Sequence, residues 1–171
     1  MTPKADDLRI LKYPAAVLRQ RARDVPQVTP EVRAVALRMI ELMNEEKGVG
    51  LAGPQVGLGW RLFVTNSPED QETRVYVNPE LRLLPGERER HEEGCLSIPG
   101  VHVEIERPTA AAIIARDLEG HPVEREARGF TARIWQHELD HLNGVLIIDR
   151  MSPIDKLANR KTLKELEADA K

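Results

Sequence analysis

The spacing of apolar residues predicts three helices. Apolar residues recur every three to four positions, the spacing of a helix with one buried face. Thr29 can cap the first helix, Pro30 suits its first turn, and Gly48 ends it. The predicted helices are 31–46, 131–142, and a C-terminal helix from Ser152-Pro153 through Leu157, Leu163 and Leu166.

Period-two alternation and turn signals predict several short strands, most of them before the second helix in the sequence. Val101, Val103 and Ile105 alternate with polar residues, which is the pattern of a half-buried strand. Turn signals such as Asn66-Ser67-Pro68 and Pro85-Gly86 separate the segments. The predicted strands are 60–65, 73–78, 81–84, 101–106, 109–116, 123–127 and 145–148.

Composition narrows the class of protein. The 171 residues suit one domain, 1–171, and carry 25 basic and 28 acidic side chains, a net charge of −3. This balance argues against specific nucleic-acid binding by charge. No apolar run approaches the roughly 20 residues of a membrane helix, and MTPKADDLRI lacks the apolar stretch of a signal peptide. We therefore expect a cytoplasmic protein with no membrane partner, with an organelle as the alternative location.

The strongest chemical signal is HELDH, residues 137–141. His137 and His141 lie one helical turn apart, so both rings can reach one metal ion. Glu138, on the same helix, can take a proton from an activated water and return it to a leaving group. The alternative is a solvated helix with two chance histidines, which is improbable in a chain with five histidines. Asp140 is either a partner of a histidine or, as we slightly favour, a surface or helix-stabilising charge.

A catalytic metal site usually has three protein ligands, and HELDH supplies two. The 30 residues after His141 contain no histidine, so an upstream residue is expected to complete the set. Cys95, the only cysteine, follows Gly94 in an acidic segment. A free cysteine is most often a small buried hydrophobe, but beside an incomplete two-histidine site the ligand interpretation is favoured.

Three motifs in order, GVGLAGPQ, EGCLS and HELDH, resemble the signature motifs of the peptide deformylase family. Gln55 precedes Cys95 by 40 residues, and Cys95 precedes His137 by 42. The resemblance spans nearly the whole chain. It implies an α+β fold in which antiparallel β-sheets surround a central metal-binding helix, with a C-terminal helix, in agreement with the predicted elements. It also implies removal of the formyl group from N-terminal formyl-methionine of nascent peptides, with release of formate.

The resemblance assigns roles to individual residues. Cys95, His137 and His141 would bind one divalent metal ion, natively Fe(II), with Zn(II), Ni(II) or Co(II) as substitutes. Glu138 would be the general base and then the acid. The Gln55 side-chain amide and the Leu96 backbone N–H would donate to the oxyanion, as amide hydrolysis requires.

The substrate would bind beside the glycine-rich loop. Gly48 and Gly50 would allow an extended peptide to pair with the backbone, although the loop read alone could be a plain surface loop. The methionine side chain would enter a pocket formed by Val49, His91, Phe130 and Ile134, which could alternatively be ordinary core residues. The expected substrate-binding residues are Gly48, Val49, Gly50, His91, Glu93, Gly94, Phe130 and Ile134.

The chain departs from the family pattern at three positions. Gly53 stands where the family usually has alanine, which predicts a less rigid loop around Gln55. His91 stands where an apolar pocket residue is common, and Lys47 where an acid is frequent.

The C-terminal helix is a candidate ribosome contact by resemblance, but its five basic and four acidic residues over 155–171 are a weak basis for RNA binding.

Two other functions would use parts of the same pattern. A metallopeptidase or other amidase would use the same metal chemistry, but ordinary HExxH proteases take their third ligand from downstream. A non-enzymatic binding module has no need of Gln55, Cys95 and the HELDH motif together. We expect a monomer.

Overall fold

The computed structural model describes residues 4–170, and its elements form an α+β fold with antiparallel sheets. The helices are α1 (Pro30–Glu45), α2 (Gly129–Leu142) and α3 (Pro153–Asp169). The strands are β1 (Gly50–Ala52), β2 (Leu62–Thr65), β3 (Arg74–Leu83), β4 (Arg88–Glu93), β5 (Val103–Pro108), β6 (Ala110–Arg116) and β7 (Pro122–Arg128). Single 3₁₀ turns span 5–7, 16–19, 53–56 and 147–150.

Two antiparallel sheets frame the molecule. Five strands pair in the order β1-β2-β3-β6-β7, and β4 pairs with β5 in a separate two-stranded sheet. Among the described strands, β1 pairs only with β2, so β1 is an edge of the larger sheet.

Helix α2 is the central helix that the resemblance implies. Residues 131–136 are all buried, so this stretch of α2 is enclosed on every side. Trp135 packs against Tyr76 and Phe63 of the larger sheet, with ring centroids of Trp135 and Tyr76 5.8 Å apart. This packing holds the helix that carries the HELDH motif against a rigid sheet.

Helix α1 covers the β1–β2 side of the larger sheet. The Oγ1 of Thr29 accepts from the Val32 N–H at 3.3 Å, and Pro30 occupies the first turn, as predicted. The buried face of α1, with Val35 and Met39 at its centre, packs in one cluster with Leu51 and Val64. The start of β1 is therefore fixed in place by α1.

Several strand predictions need correction. The predicted strands 73–78 and 81–84 are one strand, β3, whose register shifts between Val77 and Glu80, where Asn78 adopts a φ of 51°. The segment 145–148 is not a strand, because Ile147–Arg150 forms a 3₁₀ turn. Strand β4 was missed because its sequence, RERHEE, has no apolar alternation.

None of the helices within residues 4–170 combines the length and the apolar character needed to cross a membrane.

Candidate active site

Three ligand atoms converge beside α2. The Nε2 of His141 lies 3.3 Å from Cys95 Sγ and 3.2 Å from His137 Nε2, and all three atoms lie within 4.8 Å of one another. Ligands bound tetrahedrally at about 2.0–2.3 Å from a metal lie roughly 3.3–3.6 Å apart. The arrangement therefore fits one divalent ion.

Local structure explains the convergence. Helix α2 presents His137 and His141 one turn apart on the same face. Cys95 follows β4 and begins a tight turn in which the Ile98 N–H donates to the Cys95 carbonyl at 2.9 Å. The small sheet thus delivers the thiol to the histidine face of the helix.

Glu93 fixes the orientation of His137. His137 Nδ1 donates to Glu93 Oε1 at 2.9 Å, which leaves Nε2 facing the other ligands. Arg107 binds the same carboxylate through two hydrogen bonds of 2.6 and 2.9 Å, and Arg133 adds a third of 2.7 Å. Burial would raise the pKa of Glu93, but the hydrogen bonds from His137 and Arg107 outweigh it and hold the pKa well below its ordinary value. The expected contact of Glu93 with substrate stays a prediction.

Arg107 extends this network away from the ligands. Its Nη1 donates to Asp140 Oδ2 at 3.0 Å, and Asp140 also accepts two hydrogen bonds from Arg150 at 2.6 and 2.7 Å. Asp140 is therefore not a histidine partner, and with a side chain only 15% exposed it is not a free surface charge. It anchors the far side of Arg107.

The two histidines differ electrostatically. Burial and the neighbouring His137 lower the pKa of His141 well below its ordinary value, which favours the neutral, metal-binding form. Burial also opposes protonation of His137, but hydrogen bonds with Cys95 and Glu93 raise its pKa well above the ordinary value. The contrast arises because Cys95 and Glu93 both raise the pKa of His137, whereas burial and His137 both lower the pKa of His141.

Glu138 lies buried at the closed end of the cavity. Burial raises its pKa to about 7. Its Oε2 has no hydrogen-bond partner within residues 4–170, although it is fully enclosed. A Cβ at Gly50 would lie 2.3 Å from Glu138 Oε1, so only glycine allows β1 to run directly against this carboxylate. The free oxygen can accept a proton from a reactant held beside it.

Gln55 aims its amide nitrogen at the ligands. The Ala52 N–H donates to Gln55 Oε1 at 2.9 Å, and because a backbone N–H can only donate, the amide oxygen must face Ala52. Nε2 therefore points the other way, 3.2 Å from Ser97 Oγ and 3.6 Å from Cys95 Sγ. Leu96 lies in the same turn, and the hydrogen bond within the turn does not use its N–H.

Residues 11–13 bind the two segments that carry the expected oxyanion donors, Gln55 and Leu96. The Leu11 N–H donates to the Gln55 carbonyl at 2.7 Å, and the Tyr13 N–H donates to the Ser97 carbonyl at 2.8 Å. Between them, Lys12 Nζ donates to the Leu96 carbonyl at 2.7 Å. Sequence reasoning missed this role because Lys12 lies 84 residues from Leu96 and carries no motif.

A cavity of about 400 Å³ opens over the ligands and contains most of the expected substrate-binding residues. His91 does not line it: the ring is exposed, lies 3.1 Å from Glu89, and borders an adjacent depression. Sequence reasoning missed Arg133 and His102, although Arg133 lies four residues before His137 and so shares its helix face. The expected residues that line the cavity are Gly48, Val49, Gly50, Gln55, Glu93, Gly94, Cys95, Leu96, Phe130, Ile134, His137 and Glu138.

Gly53 is required by packing in this chain. A Cβ at Gly53 would lie 2.5 Å from the Trp60 carbonyl oxygen and 3.2 Å from that of Leu58, both of them backbone atoms. An alanine would therefore force the backbone to move. Gly53 packs closely against the backbone of residues 58–60. The sequence predicts a less rigid loop around Gln55, but residues 51–56 are all buried.

Comparison with known proteins agrees with this geometry. The family model described as polypeptide deformylase matches residues 7–157. The peptide deformylase of Desulforudis audaxviator is 42% identical over 148 residues, which cover 86% of this chain and 96% of that protein. The crystal structure of the Thermotoga maritima peptide deformylase has a TM-score of 0.81 at 44% identity, covering 85% of this chain and 98% of that one. A Plasmodium falciparum peptide deformylase structure has a TM-score of 0.89 at 37% identity, covering 94% and 96%. The chain belongs to the polypeptide deformylase family.

Proposed function

We propose that this protein is a metal-dependent hydrolase that removes the formyl group from the N-terminal formyl-methionine of newly made polypeptides and releases formate. One observation carries the proposal: Cys95, His137, Glu138 and Gln55 line the closed end of one cavity, and the buried His141 adjoins Cys95 and His137 there. A metallopeptidase could use the same ligands, but the family membership favours deformylation.

A divalent ion held by Cys95, His137 and His141 would supply Lewis acidity and a nucleophile at neutral pH. Glu138 takes the proton of the attacking water on its unpartnered oxygen and returns it to the departing amine. Gln55 Nε2 and the Leu96 N–H donate to the oxygen of the formyl group as negative charge develops on it. Glu93 keeps His137 in the orientation that this geometry needs.

The native metal is proposed to be Fe(II), with Zn(II), Ni(II) or Co(II) able to replace it. The family supports iron, whereas a set of one thiolate and two imidazoles suits zinc equally well. A thiolate on Fe(II) would also make the enzyme sensitive to oxygen, because Cys95 can oxidise.

The peptide is proposed to run along the free edge of β1, in strand-like pairing. The side chain of the formyl-methionine would then enter the apolar part of the cavity beside Val49, Phe130 and Ile134. Phe130 and Ile134 lie one turn apart on α2, with His137 next along the same face, so the pocket would place the formyl group near the ligands.

We further propose a cytoplasmic monomer with a weak ribosome contact through α3. The exposed surface of that helix supports such a contact. It carries Lys156, Arg160, Lys161 and Lys164 beside Ile154 and Leu157.

The test is formate release from a formyl-Met peptide by protein loaded anaerobically with Fe(II), and separately with Ni(II) or Zn(II). An acetyl-Met peptide and casein run in parallel as substrates of other amidases and of proteases. Rapid formate release that disappears in Cys95→Ala is the expected result. Cleavage of casein without formate release would favour the metallopeptidase.

A further inference from the structure

Lys47 occupies a backbone position that normally favours glycine. It directly follows the C-cap of α1 and has a φ of 54°, in the left-handed region. Glycine is the usual residue there because a side chain strains the backbone. The Lys47 side chain is exposed and lines the mouth of the cavity, so packing does not offset this strain. A strained residue at a cavity mouth suggests a functional reason for the side chain.

The Lys47 ammonium is also uncompensated. Across residues 4–170 it has no ion-pair partner within 4.0 Å, and Glu45, two residues earlier, is bound by Arg38 at 3.2 Å. On the other side of the cavity, the exposed Glu92 lies 3.5 Å from the His102 ring, which carries a charge only when protonated. Glu93 is paired with Arg107 and Arg133. The side of the mouth formed by Lys47 therefore presents a cation without an ion-pair partner, opposite the exposed carboxylate of Glu92.

The number of residues between Lys47 and Gly50 limits how far Lys47 can lie from the expected reaction centre. Gly50 touches Glu138, and Gly48 lies against Leu96. Three residues of fully extended chain span about 10 Å at most, and the chain turns at Lys47 and bends at Val49, so Lys47 lies within roughly 10 Å of Gly50. An extended peptide advances about 3.3 Å per residue, so a peptide with its formyl group at Glu138 would have its second and third residues within a similar distance.

We propose that Lys47 selects formyl peptides with an acidic side chain at the second or third residue, counting formyl-methionine as the first. The proposal rests on the proposed deformylase function and specifies its substrates. The attraction acts between the exposed Lys47 ammonium and a solvated carboxylate of the peptide, so added salt should weaken it.

The test compares kcat/KM for formyl-Met peptides with Asp, Ala or Lys at the second or third position, at low and high salt. For the wild type we expect Asp to exceed Lys roughly two- to fivefold at low salt, the range of exposed ion pairs. Lys47→Met should give similar kcat/KM values for the Asp, Ala and Lys peptides. Lys47→Glu should make kcat/KM higher for the Lys peptide than for the Asp peptide. Lys4→Glu makes the same charge change at an exposed position outside the lining of the cavity and should leave the series as in the wild type.

An Asp-to-Lys ratio that is the same in the wild type, Lys47→Met and Lys47→Glu would overturn the proposal. The formyl-Met peptide with Ala at the variable position separates the charge preference from the proposed function. No turnover of that peptide would contradict deformylation itself. In that case calorimetric binding of the charged peptides to Glu138→Gln, with and without Lys47→Glu, still measures the charge preference. Equal binding of Asp and Lys peptides there would also overturn the proposal.

Discussion

The closed end of the cavity and its mouth differ in how firmly their side chains are held. At the closed end, His137 is fixed by Glu93, which is in turn held by Arg107 and Arg133, and all of these are largely buried. At the mouth, Phe130 is 45% exposed and Lys47 has no charged partner within residues 4–170. Chemistry that needs accurate geometry is thus supported by a buried network, whereas recognition of varied peptides is left to exposed groups whose single contributions are small.

The largest effect is expected from Glu138→Gln, which keeps the shape of the side chain and removes its basicity. The metal should still bind, while the rate of formate release should fall by about 10²- to 10⁴-fold, the usual contribution of a general acid–base group. Metal content and turnover are measured on the same sample. Full turnover with the metal retained would remove Glu138 from the mechanism.

Glu93→Gln tests the buried network behind the ligands. The change leaves Arg107 and Arg133 without a full counter-charge, so we expect about 3–5 kcal/mol of lost stability and roughly 10- to 100-fold weaker metal binding. Chemical unfolding and metal competition with a chelator measure the two effects.

Glu92→Gln is the matched control for this change, because Glu92 is the exposed neighbour on the same strand. If Glu93→Gln lost no more stability and no more metal affinity than Glu92→Gln, the side chains at the closed end would be held no more firmly than those at the mouth. That result would contradict the difference between the two regions.

Gly53→Ala tests whether the loop that carries Gln55 is closely packed. The new Cβ would collide with the Trp60 carbonyl, so we expect a loss of about 1–3 kcal/mol in the free energy of unfolding, typical of overpacking. A lower kcat should accompany it because Gln55 lies two residues away. Gly59→Ala, whose Cβ would meet nothing within 4 Å, is the control. A gain in activity in Gly53→Ala would instead support the loose loop expected from sequence.

The smallest effect in this series concerns Lys12, which holds the Leu96 turn from the exposed side. Lys12→Met should lower kcat about two- to threefold with KM unchanged, since an exposed charged hydrogen bond contributes little. Lys12→Arg, which can still donate, should recover most of the loss. A change confined to KM, or no recovery with arginine, would contradict a role in positioning.

The sequence predicted the ligands better than the residues that support them. His137 and His141 follow from helical spacing, and Cys95 follows from the shortage of ligands downstream. Arg107 continues the alternation of Val103 and Ile105, but a charged residue at an inward position is not recognised without its partner.

Other parts of the site depended on tertiary contacts that no local pattern reveals. Strand β4 reads as solvated chain because five of its six residues are exposed. His91 was assigned to the pocket from the resemblance, yet its ring is exposed beside Glu89. The contact between Lys12 and Leu96 joins residues 84 positions apart.

The most direct test of the central claim is formate release from a formyl-Met peptide, measured against the amount of Fe(II) or Ni(II) bound per chain under anaerobic conditions. The structure predicts that activity rises in proportion to bound metal and saturates at one ion for each Cys95–His137–His141 site. Formate release at full rate by metal-free protein, or no release with one ion bound at that site, would contradict it.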